Sequence, residues 1–161
     1  MNDAYWMQQA FDLACFARDE NEVPVGAILV YEHQQVLGRG WNQVLQYCDP
    51  TAHAEIIAIR NAARQVNNYR LNNSTLYVTL EPCCMCAGAI IHARVKRLVF
   101  AARDLKAGAA GSVYNLLQGQ FLNHQVQIDE GILQSESAKL LTDFFECRRV
   151  SSPKLGEDKS S

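Results

Sequence analysis

Apolar positions recur at two distinct periods along this chain. Trp6, Ala10, Leu13, Ala14 and Ala17 fall at helical spacing, which predicts an amphipathic helix over residues 4–20, and Pro24 ends it. Val25 to Tyr31 is a short apolar run, and Val36 to Gly40 follows a polar turn, so the two read as a strand pair. Residues 41–52 hold Asn42, Asp49, Pro50 and Thr51 and read as a loop. Ala54 to Val66 is rich in Ala and Ile with interspersed arginines, a helix pattern. Thr75 to Thr79 is β-branched and aromatic, a strand; Pro82 suits the first turn of a new helix running to about Ala93. Arg97 to Ala101 is a further strand, residues 104–112 a Gly- and Ala-rich loop, and Val126 to Ile128 a last short strand. Ile132 to Arg149 closes the pattern as a helix.

Helices alternate with strands, so the expected fold class is α/β: a three-layer α/β/α domain with a central mixed five-stranded sheet flanked by helices. At 161 residues the chain is long enough for one core and short for two, which gives one domain over residues 1–150. Residues 151–161 are polar and are expected to form a disordered tail. No apolar run approaches the roughly 18 residues needed to span a bilayer, so no membrane association is expected. The first residues lack a basic stretch followed by an apolar core, and the cytoplasm is the expected location.

Charge adds a local detail. The formal net charge is −2, which does not mark a polyanion binder. Residues 1–22 carry Asp3, Asp12, Asp19, Glu20 and Glu22 against Arg18 alone. Residues 94–106 carry Arg94, Lys96, Arg97, Arg103 and Lys106 against Asp104 alone. That stretch is either a solvated face or a local surface for nucleic acid. Six cysteines are present, and three of them, Cys83, Cys84 and Cys86, crowd into four positions, which favours metal or redox chemistry over a disulfide framework.

The chemistry concentrates in His53-Ala54-Glu55 and, 27 residues on, Pro82-Cys83-Cys84-Met85-Cys86. Cys83 and Cys86 are one helical turn apart and can converge on one ion. Both lie at a predicted helix start, where the helix dipole favours thiolates. One imidazole and two thiolates make three ligands, the set of a catalytic Zn2+ rather than a closed structural site. Glu55, two residues from His53, is spaced to move protons beside the metal without ligating it. Read alone, Glu55 fits the first turn of any helix; beside the His/Cys/Cys set the catalytic role is favoured. The complete pattern, H-x-E followed by P-C-x-x-C, is a signature of zinc-dependent nucleobase deaminases. Cys15 and Cys84 read as packing residues; Cys48 could approach the pocket, but structural or incidental use is favoured because a fourth protein ligand would close the site; Cys147 cannot be placed.

Further stretches carry a resemblance: Glu22-Val23-Pro24-Val25-Gly26-Ala27, Gly40-Trp41-Asn42, Asp49 to Glu55, Tyr77 to Cys83 with Met85 to Ala89, Arg103-Asp104 with Lys106, Gly108 to Ser112, and Asp143-Phe144-Phe145 with Arg148-Arg149. On these the chain resembles the bacterial tRNA-specific adenosine deaminases of the cytidine deaminase-like superfamily. The resemblance implies conversion of adenosine to inosine at the wobble position of a tRNA anticodon, one Zn2+ per subunit, and a homodimer in which both subunits help bind the anticodon stem-loop. It implies that Glu55 protonates the adenine ring at N1, that Asn42 hydrogen-bonds the purine, and that the Ala54 N–H binds the reacting oxygen. It further implies that Asp104 lies near the flanking ribose and that Arg148 and Arg149 contact phosphates. Without it, Asn42 would be a turn residue, Asp104 a solvent-facing loop residue, and the two arginines favourable cations at a helix C-terminus. Val44 departs from a proline common in relatives, and Asn21 from a basic residue. Two other readings stand beside this one: a deaminase of a free base or nucleoside, and a non-catalytic, zinc-stabilised RNA-binding module.

Overall fold

The computed structural model describes residues 1–120 and 122–151. The tail expected over 151–161 lies, beyond Ser151, outside the described residues. Five helices and five strands follow in the order α1 (Asp3–Asp19), β1 (Gly26–Tyr31), β2 (Gln35–Trp41), α2 (Val44–Tyr47), α3 (Ala54–Val66), β3 (Ser74–Leu80), α4 (Cys84–His92), β4 (Arg97–Ala102), β5 (Gln127–Glu130) and α5 (Gln134–Ser151). The sheet order is β2-β1-β3-β4-β5. β1 is antiparallel to β2 and β3, whereas β3–β4 and β4–β5 are parallel, so the sheet is mixed, as expected. The antiparallel pair β1–β2 is joined by a tight turn in which Glu32 and His33 both take positive φ, at 47° and 61°. That geometry matches the right-handed twist of hairpin strands.

Successive strand residues point to opposite faces, and both faces are apolar. Ala27 and Leu29 of β1, Leu76 and Val78 of β3, and Leu98 and Phe100 of β4 face Ala54, Ala58 and Ala62 of α3 and Ala87 and Ile90 of α4. Ile28, Val30, Tyr77, Val99 and Ala101 face Trp6, Met7 and Ala10 of α1, with Ile132 and Leu133 at the margin. Helices therefore cover both faces, giving the three-layer α/β/α architecture.

Small residues set how closely α3 approaches the sheet. A Cβ on Gly40 would lie 2.2 Å from the Ala54 carbonyl oxygen and 2.6 Å from the Ala58 nitrogen; at Gly38 it would lie 2.2 Å from the Ala58 oxygen. The alanines of α3 and the glycines of β2 thus seat backbone on backbone, which fixes the N-terminus of α3 against the end of the sheet.

The pairing registers bring several junctions to that same end. Gly26 at the start of β1 pairs with Trp41 at the end of β2, Ala27 pairs with Val78, and Leu80 pairs with Ala102. The chain entering β1 and the chain leaving β2, β3 and β4 consequently gather at one edge. In an α/β sheet this carboxyl-end crevice is the usual ligand position.

Three local expectations differ from the structure. Residues 44–47 form a one-turn helix instead of loop. Pro82 lies before α4 and not in its first turn, because Cys83 is the N-cap and Cys84 the first helical residue. The last strand occupies 127–130, starting one residue and ending two residues beyond the expected 126–128.

Candidate metal centre and active-site cleft

His53 is the N-cap of α3, Cys83 is the N-cap of α4, and Cys86 lies in the first turn of α4. Two helix N-termini therefore meet at the sheet edge, and their unpaired N–H groups favour negative charge between them. His53 Nδ1 lies 3.6 Å from Cys83 Sγ and 3.5 Å from Cys86 Sγ. A tetrahedral ion with Zn–S near 2.3 Å and Zn–N near 2.05 Å requires an N···S edge of about 3.5 Å. Both measured distances match that edge, and the three ligand atoms all lie within 4.8 Å of one another.

The titration of the group follows from its contacts. Hydrogen bonds from Cys86 and His53 hold the Cys83 thiol down to about 3. Cys86 is shifted upward, since it keeps a proton beside Cys83 in a buried site next to Glu55. The neighbouring Cys83 sulfur raises the pKa of His53. Glu55 is 5 % exposed, and burial raises its carboxyl pKa. The Cys86 thiol donates to Glu55 Oε2 over 3.0 Å. Binding a divalent cation requires Cys86 to give up that proton. Glu55 thus stands against the metal group without belonging to it.

A cleft of about 400 Å³ opens over this group. Asn42, Ala54, Asp104 and Arg148 line it, together with Glu22, Val44, Leu80 and Glu81. The Asn42 side-chain oxygen is buried and finds no partner among the described residues. Asp104 turns its own loop: its Oδ1 accepts from the Lys106 and Ala107 N–H groups. Arg148 donates to the Asn21 carbonyl over 2.7 Å and stacks on Phe144 at 4.7 Å. Arg149 is exposed on α5. The structure therefore gathers His53, Ala54, Glu55, Cys83, Asn42, Asp104 and Arg148 around one cleft, with Cys86 beneath it, and leaves Arg149 outside its lining.

The comparisons bear on this geometry directly. Residues 1–102 match the family model of the cytidine and deoxycytidylate deaminase zinc-binding region. The tRNA-specific adenosine deaminase of Haemophilus influenzae is 51% identical over 147 residues, covering 91% of this chain and 85% of that protein. This chain belongs to the tRNA-specific adenosine deaminases. It is a zinc-dependent deaminase by family and by donor set. A solved structure from studies of A-to-I editing by tRNA:A34 deaminases at the wobble position superposes with a TM-score of 0.81 at 41% identity, covering 85% of this chain and 99% of that one. The guanine deaminase of Bacillus subtilis shares the fold more distantly, with a TM-score of 0.62 at 29% identity over 97% of this chain and 99% of that chain.

Two buried carboxylates shape this deaminase cleft; both lie in stretches that carry the resemblance, which gave neither a role. Glu22, 1 % exposed, accepts from the Leu45 and Gln46 N–H groups at 2.9 and 3.1 Å. It caps α2, whose own N-cap Gln43 makes no side-chain cap bond. Glu81 holds the loop that carries Asp104. Apart from that resemblance, the only sequence signal for either is an acidic residue abutting a buried strand or proline. Other expectations need correction. Cys84 is exposed and not packed, whereas Cys48, also exposed, is not among the residues lining the cleft, in keeping with structural or incidental use. The basic stretch 94–106 is partly neutralised: Arg97 pairs with Asp3 and Asp129, and Arg103 with Glu130.

Proposed function

We propose that this chain deaminates adenosine to inosine at the wobble position of a tRNA anticodon, as a cytoplasmic homodimer holding one Zn2+ per subunit through His53, Cys83 and Cys86. The observation that carries the reading is the three-ligand His/Cys/Cys group beside a buried carboxylate in a cleft, within a chain that is 51% identical to a tRNA-specific adenosine deaminase. No helix among the described residues is long and apolar enough to cross a membrane. Leu105, Val113, Tyr114 and Leu116 are exposed on one segment, which suits contact with a second copy.

The reaction consumes water and releases ammonia. When bound, Zn2+ supplies the Lewis acidity that makes a water nucleophilic near neutral pH. Glu55 takes one proton from the attacking water through its carboxylate and delivers it to N1 of the ring as C6 is attacked; it then takes the second proton from the hydroxyl added at C6 and passes it to the amino group, so the C6–N bond breaks, ammonia leaves and C6 becomes a carbonyl. Its raised pKa suits it to hold and release a proton in turn. The Ala54 N–H, at the start of α3, supports the oxygen added at C6. Asn42 reads the purine edge; its orphaned buried oxygen marks a polar group that awaits a ligand. Asp104 accepts from the 2′-hydroxyl of the flanking nucleotide, which favours RNA over DNA. Arg148 and Arg149 approach the phosphates from α5. A base inside a duplex hides its reactive edge, whereas an anticodon loop offers an unpaired one.

The kinship of fold with a guanine deaminase keeps a free-purine substrate as the competing reading. Turnover of an anticodon stem-loop bearing adenosine at the wobble position, set against free guanine, adenine and adenosine, separates the two. The stem-loop is expected to be converted and the free compounds left unchanged. Turnover of a free base with no inosine in the stem-loop would refute the tRNA reading.

A further inference from the structure

We propose that Glu81 is a positioning residue: it fixes the wall of the cleft formed by residues 104–112, and thereby substrate binding, without acting on the metal or the proton transfer. The inference rests on the tRNA reading above and adds to it a residue with no assigned role.

Glu81 follows β3 and precedes Pro82 and the ligand Cys83, so its backbone belongs to the junction that holds the metal. Its N–H donates to the Ala102 carbonyl over 2.8 Å, tying that junction to the end of β4. Its side chain, in a residue 2 % exposed, reaches the opposite wall. Oε1 accepts from the Asp104 N–H at 3.2 Å and from the Ser112 hydroxyl. Oε2 accepts from the Ala110 N–H at 3.0 Å and the Ser112 N–H at 3.1 Å. A carboxylate has four lone-pair sites, and here four donors use them. Glu81 therefore has no capacity left for substrate or metal, although it lines the cleft.

The loop is shaped to receive it. A Cβ on Gly108 would lie 2.4 Å from the Glu81 carboxyl carbon and 2.5 Å from the Asp104 carbonyl oxygen, so only glycine admits the carboxylate there. Gly111, at φ 131°, turns the chain so that the Ala110 and Ser112 N–H groups flank one oxygen. Asp104 then uses its own side chain on Lys106 and Ala107. The segment thus has two nested anchors, and Glu81 is the one that joins it to the metal junction. Loss of that anchor frees the wall that Asp104 belongs to while His53, Cys83, Cys86 and Glu55 keep their own helix-borne positions.

The test uses the zinc-loaded full chain and an anticodon stem-loop, with kcat, KM and zinc content measured for wild type, Ser112→Ala and Glu81→Gln. Ser112→Ala removes one of the four donors and keeps the carboxylate. Glu81→Gln turns an amide N–H2 toward at least one backbone donor, the Asp104 N–H on one side or the Ala110 and Ser112 N–H groups on the other. Zinc is expected to stay at one per chain and kcat within about twofold, while KM rises about threefold for Ser112→Ala and tenfold or more for Glu81→Gln, the scale of one unsatisfied buried group. Unchanged KM in both variants overturns the inference. So does a fall in kcat that tracks lost zinc, which would make Glu81 a support of the metal junction instead. Should Glu81→Gln fail to fold, the KM and zinc content of Ser112→Ala decide. A wild-type protein inactive on the stem-loop but active on a free base would refute the tRNA reading, a result distinguishable from either.

Discussion

The Asn42 side-chain oxygen is buried at the rim of the cleft with no partner among the described residues. A buried acceptor left unpaired costs about 1–3 kcal/mol. Replacing it with an apolar group removes that cost along with the contact it would make to substrate. Asn42→Ala is therefore expected to lower kcat/KM for the stem-loop by tenfold or more while leaving the urea midpoint unchanged or slightly raised. Measuring both on one preparation checks this; a large loss of stability would show that the side chain is structural. Residues such as His53, Cys83 and Cys86 were legible in the sequence because metal ligation demands particular atoms at short, fixed spacing. Glu22 and Glu81 were not, because their partners lie 23 to 31 residues away and nothing local distinguishes a carboxylate that accepts four bonds from one in solvent.

Among the elements, α3 is read from the chain at both ends: its Ala/Ile pattern begins at Ala54 and ends at Val66, where Asn67 takes the left-handed cap at φ 52°. The close seat of α3 on β2 is what places His53 and Glu55. Gly40→Ala forces a Cβ to within 2.2 Å of the Ala54 carbonyl oxygen, so α3 must shift. A loss of about 1–3 kcal/mol in urea unfolding is expected, together with weaker zinc retention against a chelator. Wild-type values of both would mean the helix position is not set by this contact. The start of α1 is held differently. Asp3 accepts from both terminal nitrogens of Arg97 and from Tyr77 Oη, and these contacts hold its carboxyl below the usual carboxylate range. A depressed folded-state pKa contributes stability that is complete above about pH 4 and fades as pH falls through the folded value. Asp3→Asn should thus cost about 1 kcal/mol at pH 7, and the difference from wild type should narrow as pH falls below about 4. Urea midpoints across that range provide the check. One element escaped sequence reading and another was read with shifted bounds, both for physical reasons. α2 has four residues, no buried side chain and a cap supplied from Glu22, so no periodicity announces it. β5 lies at the sheet edge with an exposed and half-buried pattern, so pairing with β4 and not hydrophobicity sets its bounds.

At the scale of the whole molecule, the α/β/α architecture follows from strands apolar on both faces, and so was open to pattern reasoning. The fold alone does not choose a substrate, since a guanine deaminase shares it. The chemistry of this chain gathers at the edge where the start of β1 and the ends of β2, β3 and β4 converge on two helix N-termini. There the structure brings the His53, Cys83 and Cys86 group and Glu55 together beside the polar rim of one cleft. Net charge is a poor guide to that edge. The basic stretch after α4 spends Arg97 and Arg103 on ion pairs with carboxylates, two of them from β5, which no reading of charge along the chain reveals. The central claim is that the ion is held by His53, Cys83 and Cys86 while Glu55 alone carries the proton. Inosine formation in the anticodon stem-loop, followed alongside zinc content for wild type and Glu55→Gln, tests it most directly. One zinc per chain is expected in both proteins, with a rate reduced by at least about 100-fold in the variant. A variant that retains its zinc and converts the stem-loop at the wild-type rate would contradict it.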